Sequence, residues 1–340
     1  MKELSQDRIM EVGLGFFQSK TLLSAAELGL FTVLSGKTMT GAELQRALGL
    51  HERSNPDFFD GLVAMGFLDR EGEGAAALYR NTAESAHFLD RDSPGYVGGI
   101  LEMASARLYR FWGDLTEALQ TGQPQNEMKH GGEGMFEELY RDPKRLEQFM
   151  SAMSGVSHAN FAAFADKFDF SRYRTLSDVG GATGQLSILV AGRHSHMRCT
   201  TLDLPAATDI ARRRIEAAGL GDRVVARPLD FFAEPIPTAD VVTMGMILHD
   251  WNLEKKKLLI RAAYEALPEG GAFAVIESLI DDARRENVFG LMMSLNMLIE
   301  FGDAFDYTGA DFAGWCREVG FRRTEVIPLA GAASAAVAYK

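Results

Sequence analysis

"TLSDVGGATGQLSILVAGR", residues 175–193, reads as three pieces in succession: an apolar strand ending near Asp178, a glycine turn, and a helix. Gly180 lets the chain turn sharply and a ligand approach the backbone, while the helix that follows offers unpaired N-terminal amides. The same alternation repeats downstream. "RCTTLDLPAATDIARRRIEAAG" (198–219) is a second strand–helix unit, "RVVARPLDFF" (223–232) a third strand and "DVVTMGMILHDW" (240–251) a fourth. "KKKLLIRAAYEALPEGGAFAVIESLI" (255–280) adds a helix and a fifth strand. Strands alternating with helices predict an α/β domain around a mostly parallel sheet, with ligands at the carboxyl ends of the strands.

Upstream the texture differs. "FFQSKTLLSAAELGLFTVL" (16–34) and "TGAELQRALGL" (40–50) have helical spacing, and "NPDFFDGLVAMGFLDREGEGAAALYRNT" (55–82) reads as a helix followed by a glycine-rich hairpin, the order of a winged-helix module. Such modules often bind DNA, but residues 1–100 carry 9 Lys and Arg against 14 Asp and Glu, and the helix at 55–67 has no cation. A DNA reader needs cations for phosphates and polar tips for base edges. Dimerisation through apolar residues such as Phe16 and Phe17 is the expectation. Residues 95–170 look helical, with a turn around Gly131 to Gly134. The predicted division is 1–95 for the winged-helix-like dimerisation domain, 96–170 for a helical connecting layer and 171–340 for a Rossmann-like catalytic domain.

Bulk composition excludes several classes. A net charge of −12 over 340 residues argues against nucleic-acid and anionic-membrane partners. Two cysteines make no disulfide framework, the N-terminus lacks the pattern of a signal peptide, and no stretch approaches the roughly 18 apolar residues of a membrane span. A cytoplasmic location without a membrane partner is expected.

The polar residues of interest fall at predicted strand ends. Gly180 forms the turn. Asp203, 23 residues later, is placed to accept ribose hydroxyls, the alternative being a loop acid or helix cap. Asp230 and Phe231 can read an adenine edge and cover its face, the alternative being an ordinary strand-end turn. Together they describe a bound adenosine. His249 follows the fourth strand, and Glu277, 28 residues on, ends the fifth. Neighbouring strands can bring them side by side, and an imidazole oriented by a carboxylate can take a proton from a hydroxyl. A lone histidine after a strand is otherwise structural.

"LSDVGGATGQL", "LDLP", "DFF", "ILHDWN", "ALPEGGAFAVIESLIDD" and "SLNMLIE", with "SKTLLSAAELGLF" near the N-terminus, resemble the S-adenosylmethionine-dependent O-methyltransferases of the caffeate and acetylserotonin type. The resemblance implies a homodimer acting on a small molecule. It implies an adenosylmethionine site lined by Gly180, Asp203, Leu204, Asp230, Phe231 and Gly245, with S-adenosylhomocysteine as product. His249 would be the general base and Glu277 its holder. The family's second carboxylate falls in "AFDYT" (304–308), where Asp306 is one methylene shorter than the family's Glu. The acceptor wall would draw on Asp250, Met293, Asn296 and Met297, with Phe111, Trp112, Met150 and Met153 as further candidates. Methionines at helical spacing are otherwise plain core, and Trp112 and Phe111 otherwise pack helices. No metal is expected.

Three alternatives stay open on the sequence. A thioether acid such as methylthiohydroxybutyrate could be the acceptor, with Arg107, Arg110 or His158 meeting its charge. A silent winged-helix regulator and a nicotinamide-dependent oxidoreductase are the others.

Overall fold

The computed structural model describes residues 4–131 and 139–340; Gly132 and Gly134 of the expected turn lie outside them. The chain divides into two units, Met1–Arg110 and Phe111–Lys340. The boundary between them falls at residues 110 and 111, inside the segment 96–170.

The first unit has the order expected of a winged helix. Strand β1 (Met39–Thr40) leads into the helix Gly41–Ala47, whose start is fixed by a capping box between Thr40 and Glu43. The helix Asp57–Ala64 follows, then β2 (Leu68–Glu71) and β3 (Leu78–Asn81), antiparallel to each other in the sheet order β1-β3-β2. Phe59 and Leu62 turn inward onto Leu30, Phe31, Leu44 and Tyr79. On the same helix Asp60 pairs with Arg70 at 2.8 Å and Asp57 with Arg53 at 2.6 Å, so both of its charged side chains are acidic and already engaged.

The second unit is built on seven strands: β4 (Thr175–Val179), β5 (Arg198–Asp203), β6 (Val224–Pro228), β7 (Val241–Gly245), β8 (Ala272–Glu277), β9 (Arg323–Pro328) and β10 (Ser334–Tyr339). Their order is β6-β5-β4-β7-β8-β10-β9; the first five are parallel and β10 runs antiparallel to both neighbours. β8 is buried along its whole length, which explains its near-continuous apolar run. Phe273 and Val275 face one core, Ala272, Ala274 and Ile276 the other. β9 and β10 lie outside the strand–helix alternation, and the alanines of "SAAVAY" hide a strand whose side chains must be small between close-packed layers.

Strand order reverses at β4, between β5 and β7, and such a switch point opens a crevice at the carboxyl ends of the strands. Because Gly245 is in register with Ile276, Glu277 stands one step beyond the end of β7. No described helix is long and apolar enough to cross a membrane.

Candidate active site

The turn after β4 is shaped by close approach. Gly180 has φ +67°, and a Cβ there would lie 2.3 Å from Ile247 Cδ1; a Cβ on Gly181 would lie 2.1 Å from Thr201 Oγ1. Ala182 keeps a left-handed φ of 47°, a strained conformation for a residue with a side chain, while its N–H donates to Asp203 Oδ2 at 2.9 Å. Asp203 Oδ1 accepts from the Leu204 N–H at 2.7 Å and from the Tyr140 hydroxyl at 3.1 Å. Burial raises this carboxyl, and the three donors work against that rise. An ionised carboxylate has about four lone-pair sites, so Oδ2 keeps capacity for ribose hydroxyls. A tight glycine turn leading into a helix, next to an acid whose Oδ2 keeps acceptor capacity, fits an adenosyl group.

Asp230 is exposed, with Oδ1 accepting from the Phe232 N–H. Phe231 is half-buried beside Phe232 and Trp251, and Gly245 sits where a Cβ would strike the Phe161 ring at 2.8 Å. Tyr140 and Trp251 carry no strand-end signal, and the sequence reading passes over both. Asp178, beneath the glycine turn, is fully buried; Thr243 Oγ1 donates to it at 2.9 Å, and burial pushes its carboxyl up to about 7.

Beyond β7, Met246 takes a φ of 56° and a short helical turn, Leu248–Asp250, carries His249 inward. The imidazole is 4% exposed, with Nδ1 3.4 Å from Asp306 Oδ1 and Nε2 3.4 Å from Asp250 Oδ1. Glu277 also meets His249, but Oε1 accepts from its backbone N–H at 3.2 Å. This corrects the expected pairing: among the described contacts the carboxylate nearest the imidazole Nδ1 is that of Asp306, and Glu277 grips the backbone that aims the ring. Burial pushes the imidazole down, yet the charges of Asp250, Asp306 and Glu277 outweigh it and raise it to about 10. Burial in turn raises Asp250 to about 7 and raises Glu277. The buried Tyr307 hydroxyl interacts with Glu277, as the imidazole does with Asp306, so the members of this knot of charge are held by one another. Asp250, expected at the acceptor wall, flanks the imidazole instead.

Other candidates separate. Trp112 Nε1 donates to Asn296 Oδ1 at 2.9 Å, so the half-buried Asn296 is held by the indole and keeps its amide hydrogens for another partner. Trp112, a candidate for the acceptor wall, thus braces Asn296. Met297 is buried, Phe111, Met153 and Met293 are half-buried, and Met150 belongs to a core with Leu139, Leu146 and Ile210. That packing accounts for Met150 without a ligand. His158 is exposed and contacts Gln185, while Arg107 and Arg110 belong to the first unit.

Comparison with known proteins decides the family. The family profile described as an O-methyltransferase domain matches residues 112–322, and that of the O-methyltransferase dimerisation domain matches residues 10–91. The chain belongs to the O-methyltransferase family. It is 37% identical to the tetracenomycin polyketide synthesis 8-O-methyl transferase TcmO of Streptomyces glaucescens, over 98% of this chain and 96% of that protein. It is 32% identical to the 3-hydroxy-5-methyl-1-naphthoate 3-O-methyltransferase of Streptomyces sahachiroi, over 95% and 91%. The structure of human N-acetylserotonin methyltransferase in complex with S-adenosylmethionine superposes with a TM-score of 0.91 at 28% identity, covering 100% of this chain and 99% of that one. The protein is an S-adenosylmethionine-dependent O-methyltransferase. Oxygen, not thioether sulfur, is the acceptor atom, and the silent-regulator and nicotinamide readings fall away.

Proposed function

We propose that this O-methyltransferase acts on a phenolic hydroxyl of a small fused-ring aromatic molecule, with His249 as the general base. The observation that carries the reading is the buried imidazole of His249 between Asp306 and Asp250, with its backbone held by Glu277. Relatives named for an aromatic polyketide and for a naphthoate support the aromatic acceptor.

S-adenosylmethionine supplies an electrophilic methyl group when bound. Gly180, Asp203, Leu204, Asp230, Phe231 and Gly245 would hold its nucleoside, with Tyr140 steadying Asp203. Asn296, braced by Trp112, would orient the acceptor, and Phe111, Met153, Met293 and Met297 would supply apolar wall. Holding the two reactants in line accounts for much of the rate. We assign the resting proton of His249 to Nδ1, facing Asp306, so that Nε2 receives the phenolic proton with Asp250 stabilising the cation formed. General-base help of this type contributes about 10²- to 10⁴-fold.

The functional unit in this reading is a homodimer, assembled through the N-terminal unit and working in the cytoplasm. Ile9, Val12, Phe16 and Phe17 lie on the first two helices and are 51–73% exposed, an apolar face that a second copy can cover. Incubating phenols, aliphatic alcohols, aromatic amines and thioethers with methyl-labelled donor tests the acceptor class. Labelling confined to phenols is expected; labelling confined to amines or thioethers contradicts the proposal.

A further inference from the structure

Of three consecutive lysines, 255 to 257, one does not reach solvent. Lys255 lies over the Trp251 ring at 4.5 Å and Lys257 pairs with Glu318 at 2.6 Å, both at the surface. Lys256 is 0% exposed. It shares the inward stripe of the helix Leu253–Ala266 with Leu259, Ile260, Ala263 and Ala266, where an aliphatic side chain would satisfy packing. An ammonium in such a place needs an electrostatic reason.

Its neighbours supply one. Nζ donates to the Trp251 carbonyl, two residues after His249, and lies 3.8 Å from the Phe305 ring centroid and 5.7 Å from that of Tyr307. Those rings bracket Asp306 in the chain. One cation thus bridges the segment that carries His249 and Asp250 and the segment that carries Asp306. The charges acting on it are Glu277, Asp306, Asp250 and Asp303, and its own charge acts on Asp250; burial lowers it to about 8. When His249 is uncharged, Asp250, Glu277 and Asp306 surround it as three acids that need a counter-charge.

We propose that Lys256 is a positioning residue for the base: its ammonium ties segment 249–251 to segment 305–307 and balances the carboxylates around His249 while the imidazole is uncharged. This rests on the reading of His249 as base. Lys256 touches neither donor nor acceptor in this role; it sets how strongly His249 holds a proton.

The test is direct titration of His249 by NMR in the full-length protein carrying isotope-labelled histidine, with His249→Asn identifying the resonance. Lys256→Met and Lys256→Gln remove the cation that opposes imidazole protonation, so the His249 midpoint rises by about one pH unit, a tenfold change in proton affinity. Lys256→Arg keeps the charge, and its midpoint stays near that of the unmodified protein. A midpoint unmoved in both uncharged variants overturns the proposal, whatever happens to the melting temperature. So does failure of both uncharged variants to fold while Lys256→Arg folds, since the lysine is then structural. The base reading fails separately, through retained methylation of 1-naphthol by His249→Asn, an outcome that leaves the titration result unaffected.

Discussion

Nδ1 of His249 lies 3.4 Å from Oδ1 of Asp306, and both side chains are almost wholly buried. At that separation the acid is within ion-pair reach of the ring but not in a short hydrogen bond. Two carboxylates beside the ring and a third on its backbone make the imidazole a stronger base than one in water.

The pH dependence has a definite sign. Only the uncharged imidazole takes a proton, and its affinity for protons is raised, so kcat/KM for a phenol climbs with pH through a midpoint above the roughly 6.5 of a free imidazole. Asp306→Asn removes an attractive charge and moves that midpoint to lower pH by about one to three units. A midpoint that stays in place, measured from initial rates across pH, removes Asp306 from its assigned role.

Asp203→Ala strips acceptors from the nucleoside site. Calorimetry is expected to show S-adenosylmethionine bound more weakly by about 1.5–3 kcal/mol, the usual size of a hydrogen bond to a charged group. Tyr140→Phe costs less, because it only frees one carboxylate lone pair. Equal affinities for Asp203→Ala and the unmodified protein refute the placement of the ribose.

Substituting Gly180 with Ala combines a left-handed φ with a clash against Ile247. Destabilisation of at least about 1 kcal/mol is expected from the backbone alone, together with weaker donor binding. Adding Ile247→Ala relieves the clash but not the strain, so the pair recovers only partly in thermal unfolding. Full recovery places the whole effect in the side chain and contradicts the argument from backbone conformation.

Asp178 should make stability fall as pH rises. Its carboxyl is raised from 3.8 to about 7 in the folded chain, so no penalty exists below the unfolded value, and the cost of ionising a buried acid grows between about 4 and 7. Each unit is worth about 1.4 kcal/mol. Asp178→Asn accordingly raises the melting temperature more at pH 8 (about one unit above the window) than at pH 5. An equal gain at both values points to packing instead of charge.

Much of the second unit is legible in the chain because parallel βα units announce themselves locally: "SDVGG" shows strand and turn, and Glu277 stands out as a carboxylate at the end of an apolar strand. What the pattern does not reveal is contact across long separations. The pairing of Trp112 with Asn296 spans 184 residues, and that of Tyr140 with Asp203 spans 63. Nor does alternation reveal that Glu277 meets a backbone amide while Asp306 meets the ring, since either geometry satisfies the same strand register. Lys256 is hidden for a related reason: within three successive lysines, only helix phase decides which one turns inward.

The most direct measurement is methylation of 1-naphthol by His249→Asn, with donor affinity determined by calorimetry on the same preparation. Turnover should drop by about 10²- to 10⁴-fold while S-adenosylmethionine binds as before, because the imidazole serves the acceptor and not the nucleoside. Turnover retained within a few-fold, with donor binding intact, would show that the hydroxyl loses its proton without His249.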